Sequence, residues 1–456
     1  MKIKVERLLI SIFAIAIGTI WKCHTLISNE KEGITTNDTG TGSHLNNSPS
    51  NNKISKISES STKPNFILHI GPPKTATTYI QCGLHKLSKA LANDDSYYFV
   101  GKNCPQYKAK MDNNETSVPG HFLLMGLNDA NPYNRGYEKL KARMDYHRVR
   151  GNNIIYSNEA FANHLKDQNS TWACLQTLFP GWNVRVVIGY RHYFDWIRSF
   201  YYQTHKQNAN LDKKWPNHDR GKYHPSFVSF LDYHLQRKES GNLSIDGGLQ
   251  NDAFGHHLTI TAYRKFSPHF HNIKFLNLHD DEDMVTDFVC RILPDANNTC
   301  RRLRTAASGD KRAHSSEKRT SQSFDAFRIA ETALDKGYIS YHIPKEVVVK
   351  KVKQKIKDTG VKSRKEFWIC PSPSLVARLL KVSIEFENEM YEISTGGTLS
   401  LSEKEKIESS HEKLYREIEA SGRFCDLDPE LILKNETWVN FFTEIGKNPA
   451  AFSAEK

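Results

Sequence analysis

The chain lacks the composition and motifs of several protein classes. Hydrophobic residues make up 38% of its 456 residues, which is ample for a core but far from a polytopic membrane protein. It contains no Gly-x-Ser-x-Gly segment, the nucleophile turn of α/β-hydrolases, and no internal repeat. The adjacent His256 and His257 have no companion ligands at a metal-binding spacing. We therefore expect neither that hydrolase chemistry nor a metal cofactor.

Aromatic residues are absent from residues 28–63, which are rich in Asn, Ser, Thr, Gly and Lys. A segment of this composition cannot bury enough apolar surface to fold by itself. We interpret it as a flexible stem that separates an N-terminal segment from a folded domain.

Charge is absent from residues 8–21, which follow Lys2, Lys4 and Arg7. The run is shorter than the roughly 20 residues of a membrane span, but it can extend to Ile27 if Lys22 snorkels. We predict an uncleaved signal anchor over residues 1–27, with the positive flank in the cytoplasm and the rest of the chain in the lumen. A cleaved signal peptide is the alternative, although no small-x-small site precedes the polar tract.

Acidic residues are too few to balance the basic ones, and the net charge is +12. The partner is therefore expected to be anionic, but charge alone does not choose between a nucleic acid, a glycan and a nucleotide. N-x-[ST] sequons, which support a lumenal location, begin at Asn37, Asn46, Asn114, Asn169, Asn242, Asn297 and Asn435. Eight cysteines are present, and setting aside Cys23 at the membrane edge leaves seven. In an oxidising compartment some of these pair, and at least one stays free or bonds another chain.

The most informative stretch joins a strand, a tight turn and a helix. An apolar, partly β-branched run over residues 66–70 predicts a strand, and proline ends it at a Gly-Pro-Pro turn. Residues 75–87 then predict a helix, whose first amides and dipole favour an anion. Lys74 adds a positive charge at the rim, and threonine hydroxyls add donors. The stretch therefore predicts a phosphate cradle.

The cradle does not match the nucleoside triphosphate loop, because no second glycine precedes Lys74. The string Gly-Pro-Pro-Lys-Thr-Ala-Thr-Thr instead resembles the 5′-phosphosulfate loop of sulfotransferases that use 3′-phosphoadenosine 5′-phosphosulfate (PAPS). The resemblance implies a nucleotide-binding loop formed by Pro73, Lys74, Thr75, Ala76, Thr77 and Thr78.

Residues 154–157 predict a second buried strand, and Glu159 follows its end. Ligands of open α/β sheets bind at the carboxyl ends of strands. Many sulfotransferases carry Ser-x-Glu here, and Ser157-Asn158-Glu159 resembles it, which implies that Glu159 is the catalytic base. The alternative is that Glu159 only begins the following helix, where a carboxylate is favourable.

Residues 184–188 predict a further strand, which ends at Arg191 and leads into a helix that carries Ser199. The Arg-x7-Ser spacing resembles the sulfotransferase pair that holds the 3′-phosphate of the nucleotide. Arginine suits this role because it binds phosphate through two parallel hydrogen bonds. The family usually has Asn-Pro after the arginine, whereas this chain has His192 and Tyr193, which weakens the helix-start signal.

Residues 273–278 predict one more strand, followed by Cys290 and Cys300. This cysteine pair resembles the disulfide of Golgi heparan-type sulfotransferases, in which basic residues beyond the second cysteine close over the nucleotide. The basic residues in the corresponding region here are Arg301, Arg302, Arg304, Lys311 and Arg312.

Beyond about residue 315 the pattern is helical. Residues 345–365 combine a valine and isoleucine stripe with lysines, which is typical of a solvated helix or of one that binds an anionic polymer or a membrane surface. Cys370 and Cys425 are candidates for a bridge between C-terminal segments. A polar loop around Trp215 is either solvated or a site for an anionic sugar chain.

Together these features resemble a Golgi-type carbohydrate (heparan-type) sulfotransferase. The resemblance implies a three-layer, P-loop-like α/β domain with a mostly parallel sheet over residues 64–314, a helical region over 315–456, and a single-pass type II Golgi membrane protein. It implies transfer from PAPS to a hydroxyl or amine of an anionic or neutral glycan, without a metal or nucleic acid. Lys74 and Glu159 would be catalytic, with His69 or His164 as alternative bases.

Two other functions stay open. A nucleotide kinase would use a related cradle, but should show a second glycine before the lysine and an aspartate for magnesium. A non-catalytic lumenal glycan-binding protein would keep the basic surface without needing both phosphate sites. The sequence does not determine the oligomeric state.

Overall fold

The computed structural model describes residues 63–100, 120–131, 133–210, 226–239, 258–279, 283–306 and 315–447. The predicted anchor, the predicted stem, His256, His257 and the loop around Trp215 lie outside these ranges. Within them, no helix combines the length and the apolar character needed to cross a bilayer.

A five-stranded, entirely parallel sheet forms the centre of the fold. The strands are β1 (Asn65–His69), β2 (Tyr97–Phe99), β3 (Asn153–Ser157), β4 (Asn183–Tyr190) and β5 (Ile273–Asn277). Their order is β2-β3-β1-β4-β5, so β1 lies in the middle with Leu68 opposite Tyr156 on one side and Val186 on the other. The strands predicted from residues 66–70, 154–157, 184–188 and 273–278 are present, whereas the short edge strand β2 was not predicted.

Helices follow the strands and cover the sheet. In the sheet-containing part they are α1 (Thr77–Asp95), α2 (Gly120–Asn128), α3 (Arg135–Arg148), α4 (Ala160–His164), α5 (Asn169–Gln176), α6 (Tyr193–Asn210), α7 (Phe227–Glu239), α8 (Leu258–Phe266), α9 (Met284–Asp287) and α10 (Asn297–Ala306). A π-helical turn, Phe288–Ile292, continues α9.

Alternate residues of the central strands face opposite layers, as the two-residue period of a strand requires. Ile67 and Val187 pack on one face with Ile80 of α1, whereas Phe66 and Leu68 pack on the other face in a separate core. Both faces are therefore buried under helices, which explains why the strands are continuous apolar runs. The predicted α/β class with a parallel sheet is confirmed.

Residues 315–447 are mainly helical. Their helices are α11 (Ser315–Asp335), α12 (Lys345–Thr359), α13 (Pro373–Thr395), α14 (Leu401–Ala420), α15 (Pro429–Ile432) and α16 (Glu436–Lys447). A short antiparallel ladder joins β6 (Trp368–Ile369) to β7 (Asp426–Leu427). One core continues from α6 and α7 into these helices, through Phe194, Phe227, Phe327 and Leu379. The helical region therefore shares its interior with the helix that follows β4.

Two disulfides close segments of the described chain. The predicted Cys290–Cys300 bond is confirmed, and Cys370 is bonded to Cys425, so that the candidate bridge in the C-terminal region is also formed. Cys174 is a buried thiol in the core under the sheet. The bonds are consistent with a protein of an oxidising, secretory compartment.

Candidate functional site at the carboxyl edge of the sheet

The strand order brings three of the predicted segments to one edge. β1 lies between β3 and β4, and all three strands run in the same direction, so their carboxyl ends are adjacent. Backbone bonds continue the contact beyond the strands: Asn158 N–H donates to the carbonyl of His69 at 2.9 Å, and Ile70 N–H donates to that of Val187 at 3.0 Å. In the strand order, the chain runs from β1 towards β2 at one end of the sheet and from β4 towards β5 at the other end. Open α/β sheets bind ligands at the crevice between strands whose connections diverge in this way.

The loop after β1 is a tight turn with two left-handed residues. Lys74 has φ 70° and Ala76 has φ 57°, which side-chain-bearing residues adopt rarely. The Thr75 amide and hydroxyl both donate to the carbonyl of Pro72, at 3.3 and 2.6 Å. Left-handed residues alternating with right-handed ones turn successive N–H groups into one concavity, the geometry of a backbone anion nest. The strain is the kind that clusters at binding sites.

Helix α1 begins directly behind this loop, at Thr77 rather than at the predicted Thr75, because Lys74 and Ala76 are not helical. Its N-cap is Ala76, which offers no side chain to the first amides, and its first turn has no acidic residue. No carboxylate in the first turn therefore offsets the positive end of the dipole of this 19-residue helix.

Two glycines let the loop approach its neighbours. A Cβ at Gly189 of β4 would lie 2.5 Å from the Thr75 hydroxyl, so a side chain there would displace the loop. A Cβ at Gly71 would lie 2.7 Å from the Thr77 hydroxyl and 2.9 Å from Nε2 of His69. Those two polar atoms are buried and have no hydrogen-bond partner among the described residues. Buried polar groups are nearly always paired, so both are candidate contacts for a ligand in the loop.

His69 lies fully buried beneath the loop. Its Nδ1 is 2.8 Å from the hydroxyl of Ser157, to which the amide of Gln81 on α1 also donates at 3.2 Å. Burial lowers the pKa of His69 to about 4, so its imidazole is neutral at neutral pH. His164, the other histidine considered as a base, is exposed at the far end of α4. Only His69 of the two therefore lies at the loop.

Glu159 lies where the sequence predicted it, two residues beyond β3, and is half-buried. It holds the N-cap position of α4, but its side chain makes no capping hydrogen bond to that helix. The alternative role, a carboxylate that begins the helix, stays open, because the attraction of a carboxylate to a helix start needs no capping bond. Glu159 lies at the same carboxyl edge of the sheet as the loop after β1.

Arg191 is held in place from two directions. Its Nε donates to Oδ2 of Asp195 at 2.6 Å, and one of its amino groups donates to the carbonyl of Lys74 at 3.2 Å. Arg423, from the chain between α14 and β7, forms an ion pair with Oδ1 of the same carboxylate at 2.6 Å. Burial raises the pKa of Asp195, but Arg191 and Arg423 outweigh it and hold the pKa at about 2. A permanently charged carboxylate therefore orients Arg191 against the loop.

Helix α6 also contacts the loop after β1. It begins at Tyr193 although His192 and Tyr193 stand where the family has Asn-Pro. The indole of Trp196 donates to the carbonyl of Pro73 at 3.0 Å, and Ser199 lies buried further along the helix. Trp196 of α6 and Arg191, which precedes α6, thus bond two successive carbonyls of the loop, those of Pro73 and Lys74.

Sequence reasoning did not identify Asp195, Trp196, Gln81 or Arg423. Asp195 lies four residues beyond Arg191, a spacing at which ion pairs form on helices, so that signal was available. Arg423 lies more than two hundred residues further along the chain, and no local pattern points to it.

The other basic segments contribute less to this edge. Arg301, Arg302 and Arg304 lie exposed on α10, and Arg302 pairs with Asp94 at 2.8 Å. Lys311 and Arg312 lie outside the described residues. The apolar stripe of α12, which includes Val348 and Val352, is buried in the helical core, so it does not face a membrane.

Comparison with known proteins assigns no family. No protein-family model, curated protein or solved structure matches the chain. The residues and the geometry of the sheet edge therefore carry the functional argument.

Proposed function

We propose that the protein transfers the sulfuryl group of PAPS to a hydroxyl or amine of a carbohydrate. The observation that carries the proposal is the loop between β1 and α1. It joins the Gly-Pro-Pro-Lys-Thr-Ala-Thr-Thr string to two left-handed residues and a helix start without a side-chain cap. Two buried polar atoms at the loop have no hydrogen-bond partner among the described residues. Such a loop favours a phosphate-like anion.

The 5′-phosphosulfate of the donor would occupy this P-loop-like cradle, formed by residues 73–78. Thr77 lies buried at the helix start, and Thr78 lies exposed in the same turn, so both residues belong to the cradle that would hold the anion. The Lys74 ammonium would counter the charge that builds on the leaving 5′-phosphate. Positioning and electrostatics are sufficient for transfers of this type.

Arg191 and Ser199 would hold the 3′-phosphate of the nucleotide. Arg191 lies at the end of the strand beside β1, where Asp195 and the Lys74 carbonyl orient it. Arginine binds phosphate through its planar fork, and a fixed guanidinium loses less entropy on binding. The ion pair with Asp195 is thus a positioning contact for the phosphate ligand.

The reaction is an in-line displacement at sulfur. The S–O bond to the 5′-phosphate breaks as a bond forms between sulfur and the acceptor oxygen or nitrogen. The carboxylate of Glu159 would take the acceptor proton, and 3′-phosphoadenosine 5′-phosphate (PAP) would leave as the anion. Glu159 supports this role through its place just beyond the end of β3.

The acceptor and the compartment follow the same proposal. The net charge of +12 favours an anionic glycan, and the two disulfides favour a lumenal location. We therefore propose a type II Golgi membrane protein, held by residues 1–27, whose catalytic domain begins near residue 64.

The test uses the full chain purified from secretory cells. We expect tighter calorimetric binding of PAP than of ATP, and transfer of radiolabelled sulfate from PAPS to at least one member of a glycan panel. Preferential binding of ATP would favour a nucleotide kinase. Binding of glycans without PAP binding or sulfate transfer would favour a glycan-binding protein, and either result would overturn the proposal.

A further inference from the structure

A buried cluster of metal-binding side chains lies behind the sheet edge, where β4 meets the C-terminal helices. His192 follows Arg191 directly, Glu387 lies on α13, and His411 lies on α14. One ligand atom from each of the three lies within 4.8 Å of those of the other two, and all three residues are buried. The described residues contain no second group of this kind.

The distances suit a small tetrahedral ion. Nδ1 of His192 is 2.8 Å from Oε2 of Glu387, and Nδ1 of His411 is 3.4 Å from the same oxygen. Zinc bonds histidine nitrogen at about 2.0–2.1 Å, so neighbouring ligand atoms of a tetrahedral site are about 3.4 Å apart. The His411–Glu387 pair has this spacing, whereas the His192–Glu387 pair is at hydrogen-bond distance and would open by about half an ångström around an ion.

His411 provides the second observation that points to a ligand. Its Nδ1 is buried and makes no hydrogen bond within the described chain, although it faces Oε2 of Glu387. Its Nε2 is 2.8 Å from the hydroxyl of Ser383. When the Nε2–H donates to Ser383, the lone pair of Nδ1 faces a carboxylate oxygen, and two acceptors repel unless a cation lies between them.

The surrounding groups fix the candidate ligands. The backbone N–H of His192 donates to Nε2 of His279 at 3.0 Å, and the two rings stack with centroids 3.7 Å apart. The hydroxyl of Tyr190 donates to Oε2 of Glu387 and lies 3.4 Å from Nδ1 of His192. Metal sites usually carry such outer partners, which orient the ligating side chains.

We infer that His192, Glu387 and His411 form a site for a zinc-class divalent cation. Imidazole and carboxylate suit zinc, and one further ligand would complete four-coordination. The ion would join the end of β4 to α13 and α14, so its role would be structural. The site does not depend on the proposed sulfuryl transfer, which uses no metal.

The test measures zinc directly. The full chain is loaded with Zn²⁺, dialysed, and analysed for bound metal by mass spectrometry. We expect about one equivalent per chain in the wild type and in a His342→Ala control, which removes an exposed histidine of the same region. We expect loss of the bound zinc in His411→Ala and in Glu387→Gln. Ser383→Ala should weaken zinc binding about 10- to 100-fold, because it releases the His411 ring.

Two readouts separate a metal site from a hydrogen-bonded cluster. Zinc should raise the thermal unfolding temperature of the wild type but not of His411→Ala. Co²⁺ added to the metal-free wild type should give the visible absorption of a tetrahedral site, a result that needs no folded variant. A wild type that retains no zinc, or a cobalt spectrum unchanged from the hydrated ion, would overturn the inference. Equal zinc in the wild type and a folded His411→Ala would do the same.

Discussion

The sheet-containing part of the molecule and its C-terminal helices contribute to the candidate site in different ways. At the end of β1, the Thr77 hydroxyl and Nε2 of His69 are buried and unpartnered within the described chain, as expected where a ligand binds. At the end of β4, Arg191 and Asp195 already form ion pairs, and Arg423 reaches them from the helical part. At the β1 end two polar atoms are candidate contacts for a ligand, whereas at the β4 end ion pairs orient the Arg191 side chain.

This difference implies a division of labour. The chemistry should depend on local residues of the sheet-containing part, and the helical part should affect it only through the orientation of Arg191. Variants in the two parts should therefore differ in the size and the kind of their effects. The five tests below begin with the largest expected change.

Glu159→Gln should lower turnover about 100- to 10,000-fold, because the amide keeps the shape but cannot accept the acceptor proton. The affinity for PAP should hardly change, because Glu159 is proposed to face the acceptor. Turnover with PAPS and a glycan, measured beside PAP calorimetry, tests both points. Glu405→Gln, at an exposed glutamate of α14, is the control. An equal loss of PAP affinity would place Glu159 in the nucleotide pocket and make His69 the next candidate base.

Lys74→Ala should lower turnover about 100- to 1,000-fold, the usual effect of removing one charge-stabilising donor. The fold should persist, because the half-buried Lys74 belongs to a loop. Lys89→Ala, at an exposed lysine of α1, should leave turnover unchanged. Sulfate transfer and circular dichroism measure the two effects. Activity within a fewfold of the wild type would remove Lys74 from the catalytic residues.

His69→Gln should reduce the acid sensitivity of folding. The imidazole has its pKa lowered from 6.5 to about 4 by burial, so the unfolded chain binds a proton that the folded chain refuses. Stability is therefore lost as pH falls from about 6.5 to about 4, by about 3 kcal/mol for this group. The free energy of unfolding, measured in urea at pH 7 and at pH 4, should fall less between the two pH values in the variant than in the wild type. Equal drops would mean that His69 is not buried in the neutral form.

Asp195, at the β4 end of the site, should lose its contribution to stability in a lower pH range than His69. Asp195 has its pKa lowered from 3.8 to about 2, so its contribution is complete above about pH 4 and is lost only as pH falls towards 2. The difference between the wild type and His69→Gln in the drop from pH 7 to pH 4 therefore reports on His69 rather than on Asp195.

Arg191→Ala should weaken binding of PAP and PAPS alike. The loss of a charge-assisted phosphate contact costs about 1.5–3 kcal/mol, or about 10- to 150-fold in affinity. Calorimetry with PAP measures it, with Arg135→Ala at the exposed start of α3 as the control. Unchanged PAP affinity would show that Arg191 only supports the loop through Lys74.

Arg423→Ala should have the smallest effect. The side chain is 36% exposed, so its ion pair with Asp195 is partly screened and is expected to contribute at most about 1 kcal/mol. PAP affinity should fall about 2- to 5-fold, whereas Arg416→Ala, at an exposed arginine of α14, should leave it unchanged. An unchanged affinity in Arg423→Ala would confine the nucleotide site to the sheet-containing part.

Much of the sheet could be predicted because its strands are buried on both faces. The apolar runs around Ile67, Ile155 and Val187 are readable for that reason. Strand β2 escaped prediction because it has three residues, and Tyr98 and Phe99 are only half-buried. The sequence pattern predicts that α1 begins two residues before its actual start. Lys74 and Ala76 adopt the left-handed conformation, which is usually signalled by glycine or asparagine, and neither residue type stands at these positions.

The sequence by itself determined the elements whose signals are local: the β1 strand, the proline turn, the helix behind Lys74, and the strand ends at Glu159 and Arg191. Local backbone preference and side-chain period suffice for these, because each depends on neighbours within one turn or one strand. The tertiary structure alone decided which strand ends are adjacent. It also brought Arg423 to Asp195, and Glu387 and His411 to His192. Those contacts join residues about two hundred positions apart, and their geometry depends on how the helical core packs against α6 rather than on any local pattern.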